Sequence, residues 1–213
     1  MTNYLTGLVP HDLFNNTSLL EVLKLGNNSL SGTIPGAIGQ LPMLQELNLQ
    51  YNHFSGPVPS AIFNMTRLQY FYLPNNYNLN GTIPSGNTTF NLPMLQILAM
   101  GRNSFTGQIP LGLSVCQYLQ VLSLADNQLE GPVPAFLALL PDLAIIYIGQ
   151  NNLVGTIPPA LGNITNLKEL DISYCKLKGL IPPELGLLRR INVFDLHDNQ
   201  LTGHIPTFFW QLV

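Results

Sequence analysis

One phrase, Asn-x-Leu-x-Gly-x-Ile-Pro, recurs nine times in this chain, with Val for Ile and Phe for Leu in some copies and Tyr77 or Cys175 in place of the Asn in two. Its prolines run from Pro10, Pro35 and Pro59 to Pro206 at intervals of 24 to 26 residues. Its glycines, from Gly7 to Gly203, are nine of the 18 in the chain. From the second copy on, Leu-x-x-Leu-x-Leu-x-x-Asn leads into the phrase, as in Leu119, Leu122, Leu124 and Asn127, and again in Leu143, Ile146, Ile148 and Asn151. A fixed period of this length marks a stack of small identical units, each unable to bury its apolar face alone.

The parts of the repeat have separate physical roles. Leu-x-Leu is strand alternation, with two side chains inward and their neighbours outward. Strands of three residues become stable only when stacked in parallel, where each buried Leu contributes roughly 1.5–3 kcal/mol. The Asn can donate to and accept from backbone groups left unpaired where the chain leaves the strand, forming a ladder through successive copies. The Gly permits a conformation other residues resist. The Pro, lacking an N–H, is expected to end a second short extended segment. The expected fold is an α/β-type repeat solenoid with a concave parallel β-sheet and short 3-10 or irregular convex turns. Residues 1–213 form a single domain of about nine 24-residue repeats. Two copies are irregular: "LPNNYNLNGTIP" carries one extra residue and "IPSGNTTFNLPM" two.

The pattern with "xLxGxIPxxLxxL" resembles the plant-specific class of leucine-rich repeats over essentially all of residues 3–213. That resemblance implies a right-handed superhelix. It also accounts for Cys175, which occupies the ladder position filled by Asn127, Asn151 and Asn199 in neighbouring copies, a site where the class also accepts Cys. A thiol there is a small buried group with a weak donor. Cys116, in "LSVCQYLQVL", falls before a strand on the convex turn, about two and a half repeats away, so a disulfide between the two is not expected.

If Leu-x-Leu points inward, three outward columns follow. The first reads Val22, Glu46, Tyr70, Ile97, Val121, Ile145, Glu169, Val193. The second reads Lys24, Asn48, Tyr72, Ala99, Ser123, Tyr147, Asp171, Asp195, and the third Gly26, Gln50, Pro74, Gly101, Ala125, Gly149, Ser173, His197. Tyr70 and Tyr72 make an aromatic pair rimmed by Tyr51, and the middle is small and apolar. The last third is acidic, with Glu169, Asp171, Asp195 and Asp198 near Tyr174 and His197. Apolar strips rimmed by polar groups mark interaction sites, and small residues let a ligand backbone approach. The opposing reading is that β-branched residues here simply favour strands. The expected ligand-binding residues are Tyr70, Tyr72, Ile97, Ser123, Tyr147, Glu169, Asp171, Asp195 and His197, with basic ligand groups at the acidic end.

Other chemistries find little support. Charged residues are only 9% of the chain, against roughly 25% in ordinary domains. The net charge is −3 and Arg189–Arg190 is the only adjacent basic pair, so a nucleic-acid partner is not expected. The acidic side chains fan out along a sheet, whereas Ca²⁺ needs six to eight converging oxygens; no metal or cofactor is expected. Arg102 and Asp126 should pair at the surface. No nucleophile–base constellation emerges, so the chain is not read as an enzyme. No apolar run approaches the ~18 residues that span a bilayer. Of several Asn-x-Ser/Thr sequons, Asn16, Asn64 and Asn163 share one phase, each seven residues before an inward strand residue (Leu23, Phe71, Leu170), where a glycan would be exposed.

The plant-specific class is similar to the ectodomains of receptor-like kinases and receptor-like proteins. Phrases such as "LGNITNLKELDIS" and "IPPELGLLRRINVFDLHDNQLTG" look most like the subfamily with receptors for bacterial elicitors. The resemblance implies an extracellular ligand-recognition region, secreted or at the outer face of the plasma membrane, that senses a peptide or protein and recruits a coreceptor ectodomain. Signal peptide, paired-cysteine cap, transmembrane helix and kinase are lacking, so a fragment of an ectodomain, uncapped at both ends, is expected. The alternatives are a secreted inhibitor of microbial cell-wall hydrolases or a kinase-less receptor-like protein.

Overall fold

The computed structural model describes residues 3–14, 17–85 and 89–207. It is a leucine-rich-repeat solenoid with two parallel sheets and a convex row of 3-10 turns. The concave sheet has eight three-residue strands in chain order, from Val22–Lys24 to Val193–Asp195. The central residues of the six inner strands, Leu47, Phe71, Leu98, Leu122, Ile146 and Leu170, are fully buried. Flanking residues point outward, and equivalent positions pair directly: Ile97 with Val121, Val121 with Ile145, Tyr147 with Asp171 and Asp171 with Asp195. The outward columns expected from the repeat period are therefore adjacent columns on one face.

The second sheet has nine strands, from Thr6–Leu8 to Gln200–Leu201. It uses a different register. Val121 pairs with Ile145, 24 residues on, whereas Gly131 pairs with Leu153, only 22 on. Each strand of the second sheet thus slips two residues against the repeat. The motif glycines have φ between 76° and 87°. At Gly131, for example, an L side chain would sit in left-handed backbone and against Gln108.

The motif proline does not end the second strand. The strand at His53–Pro57 stops before Pro59, and Pro59 caps the next 3-10 turn, Ser60–Asn64. Its carbonyl accepts from the Ile62 N–H at 3.0 Å, and Pro35, Pro110, Pro134, Pro158 and Pro182 do the same in their repeats. A fixed φ near −65° opens a turn well, and the missing N–H would be unpaired there anyway. In the irregular fourth repeat Phe90 fills the convex core, stacked on Phe63 at 5.8 Å, with Phe71 edge-on to Phe63 at 6.1 Å.

The ladder is made as its chemistry demands. Asn151 Nδ2 donates to the carbonyls of Leu124, Ile148 and Gly149 at 3.0–3.1 Å, and Oδ1 accepts from the Leu129 N–H at 2.9 Å. One side chain thus closes its own bend and clamps the preceding repeat. Asn52, Asn76, Asn127 and Asn199 repeat the pattern. The inserted Tyr77 interrupts it: the Asn78 N–H bonds to the Asn76 carbonyl at 2.7 Å, and Asn103 Oδ1, whose donor by the motif would be the Leu79 N–H, is buried without one among the described residues. At Cys175 the thiol reaches the Ile148 carbonyl at 3.9 Å and the backbone of Asn151 and Leu153, all through a sulfur that bonds weakly. Burial pushes both thiols up, Cys116 to about 12; both are free and buried.

Replacing Asn151 with Ala should cost about 3 kcal/mol in chemical denaturation, since four buried backbone groups lose their partner. Cys175→Asn should gain about 1 kcal/mol by restoring the missing bonds. A loss at Asn151 no larger than that of the exposed Asn152→Ala would contradict this account of the ladder.

Candidate functional site

The concave face carries a groove of about 490 Å³ that crosses six consecutive repeats. Its floor is formed by Pro74, Gly101, Ser123 and Ala125. Tyr51, Asn75, Arg102, Asp126 and Gln150 line one side, and Tyr147 and Asp171 the end toward the C-terminus. Of the nine residues expected to bind ligand, Ser123, Tyr147 and Asp171 line this groove. Glu169 stands behind Tyr147, accepting a hydrogen bond from its hydroxyl. Asp171 is held by the Ser173 hydroxyl at 2.6 Å and the Ser173 N–H at 2.9 Å.

The other expected residues lie outside the groove. Tyr70 donates to Gln96 Oε1 at 3.1 Å, at the end of a glutamine row, Gln45–Gln69–Gln96, along the sheet edge. Tyr72 is half-buried; burial, then the Glu46 carboxylate, push its hydroxyl up. Ile97 is adjacent to Val121, as expected, but each neighbouring strand half-buries the apolar strip. It is not an exposed patch. The small residues of the third column also have a packing cause. A Cβ on Gly101 would meet the Ala125 carbonyl oxygen at 2.9 Å, and one on Gly149 the Ser173 carbonyl oxygen at 2.9 Å. These glycines are small because the next repeat leaves no room, not because a ligand comes close.

Asp195 and His197 lie beyond the groove at the C-terminal end of the same face. His197 is half-exposed, with Nδ1 against Asp195, Nε2 3.6 Å from Asp198 and its ring edge-on to Tyr174 at 4.5 Å. Its hydrogen bond to Asp195 raises the imidazole above its ordinary value and lowers the Asp195 carboxyl. The Asp198 carboxylate, nearest to Tyr174, pushes that phenol up. Two ion pairs stand elsewhere on the face, Lys24 with Glu46 at 2.8 Å and Arg102 with Asp126 at 3.8 Å. The latter pair is exposed and worth little in stability.

Sequence reasoning missed a fourth outward column, the residue just before each ladder position: Asn27, Tyr51, Asn75, Arg102, Asp126, Gln150, Tyr174 and Asp198. All eight have left-handed backbone, φ 47–61°. The conformation turns the chain so that the following Asn faces inward. The available signal was position alone, since these residues share no chemistry.

The sequons at Asn64 and Asn163 end the 3-10 turns Ser60–Asn64 and Pro159–Asn163, and both are exposed. Asn16 lies outside the described residues. No helix among the described residues is long and apolar enough to cross a membrane, and no group of three or more His, Cys, Asp or Glu among them is placed to hold a metal ion.

This architecture defines the chain as a leucine-rich-repeat domain, and leucine-rich-repeat profiles match residues 2–54, 118–140, 166–188 and 190–212. Such a domain has no catalytic activity of its own. It is similar to the plant peptide hormone receptor RGFR1, solved in complex with RGF2, with 37% identity and a TM-score of 0.93 over 99% of this chain and 33% of that one. It is also similar to the Arabidopsis receptor kinase HAESA, solved with the peptide hormone IDA and the co-receptor SERK1, with 33% identity and a TM-score of 0.92 over 100% and 35%. PEPR1, solved with AtPEP1, shares 32% identity with a TM-score of 0.84 over 99% and 32%. The chain spans about a third of the length of each. No curated protein sequence matches it significantly.

An NMR titration should put the His197 midpoint above 6.5, and Asp195→Asn should bring it down. The pair's contribution to stability is lost as pH rises through the folded His197 value and as it falls through the folded Asp195 value. A midpoint unmoved by Asp195→Asn would rule out the Asp195 hydrogen bond as its cause.

Proposed function

We propose that this domain is an extracellular ligand-recognition region that binds an extended peptide along its concave face, basic groups toward the C-terminal end. The observation that carries this reading is the groove across six repeats, with tyrosines at both ends and mixed polar walls. Tyrosine supplies contact area and a hydroxyl at low entropic cost. Relatives at 33–37% identity include a plant peptide hormone receptor and a receptor kinase solved with a peptide hormone.

Charge placement supports the polarity. Asp171 and Asp195 are paired directly across neighbouring strands, and like charges so placed destabilise a sheet. A guanidinium or ammonium group on the ligand would meet both carboxylates side by side there. Glu169 and Asp198 extend the same negative end. Tyr70, Tyr72 and Ile97 would contact the ligand only if it ran beyond the groove toward the first repeats.

In this reading a kinase, a membrane anchor and coreceptor recruitment belong to the longer protein of which this domain is the sensing part. The finer placement in the elicitor-receptor-type subfamily rests on the phrases around residues 161–173 and 181–203.

The test is to pan a random phage-displayed dodecapeptide library against the immobilised domain and measure Kd of the selected peptide by calorimetry. Basic sequences should be enriched, and Tyr147→Ala and Asp171→Asn should each weaken binding about tenfold or more. Tyr118→Ala, off the concave face, should leave it unchanged. Enrichment of acidic peptides, or of none, would refute the reading. The extracellular assignment is checked separately: secreted preparations should carry glycans at Asn64 and Asn163 by peptide mass spectrometry, and two bare asparagines would count against it.

A further inference from the structure

Left-handed backbone is unfavourable for most L-residues, and Asn and Asp tolerate it best because their short polar side chains bond locally. Four of the eight residues that precede the ladder obey this preference. The other four do not: Tyr51 (φ 53°), Arg102 (φ 55°), Gln150 (φ 53°) and Tyr174 (φ 47°).

Packing does not explain the exceptions. Tyr51 and Tyr174 are 50% and 51% exposed, the Arg102 side chain is 60% exposed, and Gln150 is exposed. A bulky side chain held against backbone preference and left in solvent recovers nothing from the core. The fold requires the conformation at this position in every repeat but does not require these side chains, and residues held against backbone preference cluster at functional sites. A separate observation points to the same residues. Tyr51, Arg102 and Gln150 line the concave groove, and Tyr174 continues their row beside His197 and Asp198. Arg102 is only loosely held, with Nη1 3.3 Å from Asn75 Oδ1 and Nε 3.8 Å from Asp126.

We propose that Tyr51, Arg102, Gln150 and Tyr174 form the specificity-determining row of this domain, retained for ligand contact where the fold alone would favour Asn. The proposal rests on the peptide-binding reading and deepens it. Tyr51 and Tyr174 stand five repeats apart, roughly 24 Å at the spacing of parallel strands. An extended peptide covers that distance in about seven residues, which sets the shortest segment the row can read. The Gln150 amide can both donate to and accept from a peptide backbone, whatever the ligand's sequence. The Arg102 fork offers donors to a carboxylate or a carbonyl. The tyrosines supply the side-chain pockets at the two ends.

The experiment is four single substitutions, Tyr51→Asn, Arg102→Asn, Gln150→Asn and Tyr174→Asn, in the full domain. Each is measured for Tm and for Kd of the dodecapeptide selected against the unsubstituted protein. Tm should rise by about 2–4 °C per site as the backbone strain is relieved, while affinity falls about tenfold. An unchanged or lower Tm overturns the backbone argument. A raised Tm with unchanged affinity at all four sites overturns the recognition row alone, because the peptide still binds. Failure to select any peptide removes the peptide-binding reading and the row together.

Discussion

Everything in this solenoid depends on one carboxamide per repeat. A three-residue strand makes too few bonds to define its own position, and the bend after it strands several carbonyls. The ladder Asn answers both problems by donating to its own bend and to the preceding repeat while accepting a backbone N–H from beyond that repeat's own ladder position. The bond count explains where the array tolerates change. Cys175 keeps only weak sulfur contacts and is buried among fully formed neighbours. The Tyr77 insertion leaves one acceptor orphaned at Asn103, while that residue's three donor bonds survive. Cooperative stacking lets intact repeats carry a defective one.

The period made the concave sheet legible. A repeat that advances 24 residues while the strands stay in phase puts equivalent residues side by side, so the columns could be written from the sequence. The second sheet was less legible because its register slips two residues per repeat. The proline was misplaced for a related reason. Its missing N–H suits a strand end or a turn start equally well, and only the Pro59 carbonyl accepting from Ile62 decides between them.

The site was read less well than the fold. Tyr147 and Asp171 were found because they lie on strand columns, whereas Arg102 was set aside as a surface partner of Asp126 and Gln150 was not considered. The left-handed turn that aims these side chains over the floor has no compositional mark: Asn, Tyr, Arg, Asp and Gln all occupy it. Burial also reversed two arguments. Strands spaced by about 4.8 Å shield one another's outward β-branched residues, so Ile97, Val121 and Ile145 could be adjacent without forming an open patch. Gly101 and Gly149 owe their size to the next repeat's backbone.

Fold and recognition are separable here because they use different atoms. The ladder, the inward leucines and the motif glycine define the coil, and none of them faces the groove. The outward columns contribute little to stability beyond strand preference, so their chemistry is free to vary from one repeat to the next. That freedom has a limit where backbone geometry and recognition meet. At the residue before the ladder the fold demands a conformation that most side chains resist. A rigid array cannot relax that cost by moving, because each repeat is clamped on both sides. The strain therefore stays local and constant until a ligand supplies the missing contacts. A stack of nearly identical units can then present a face that is not repetitive at all.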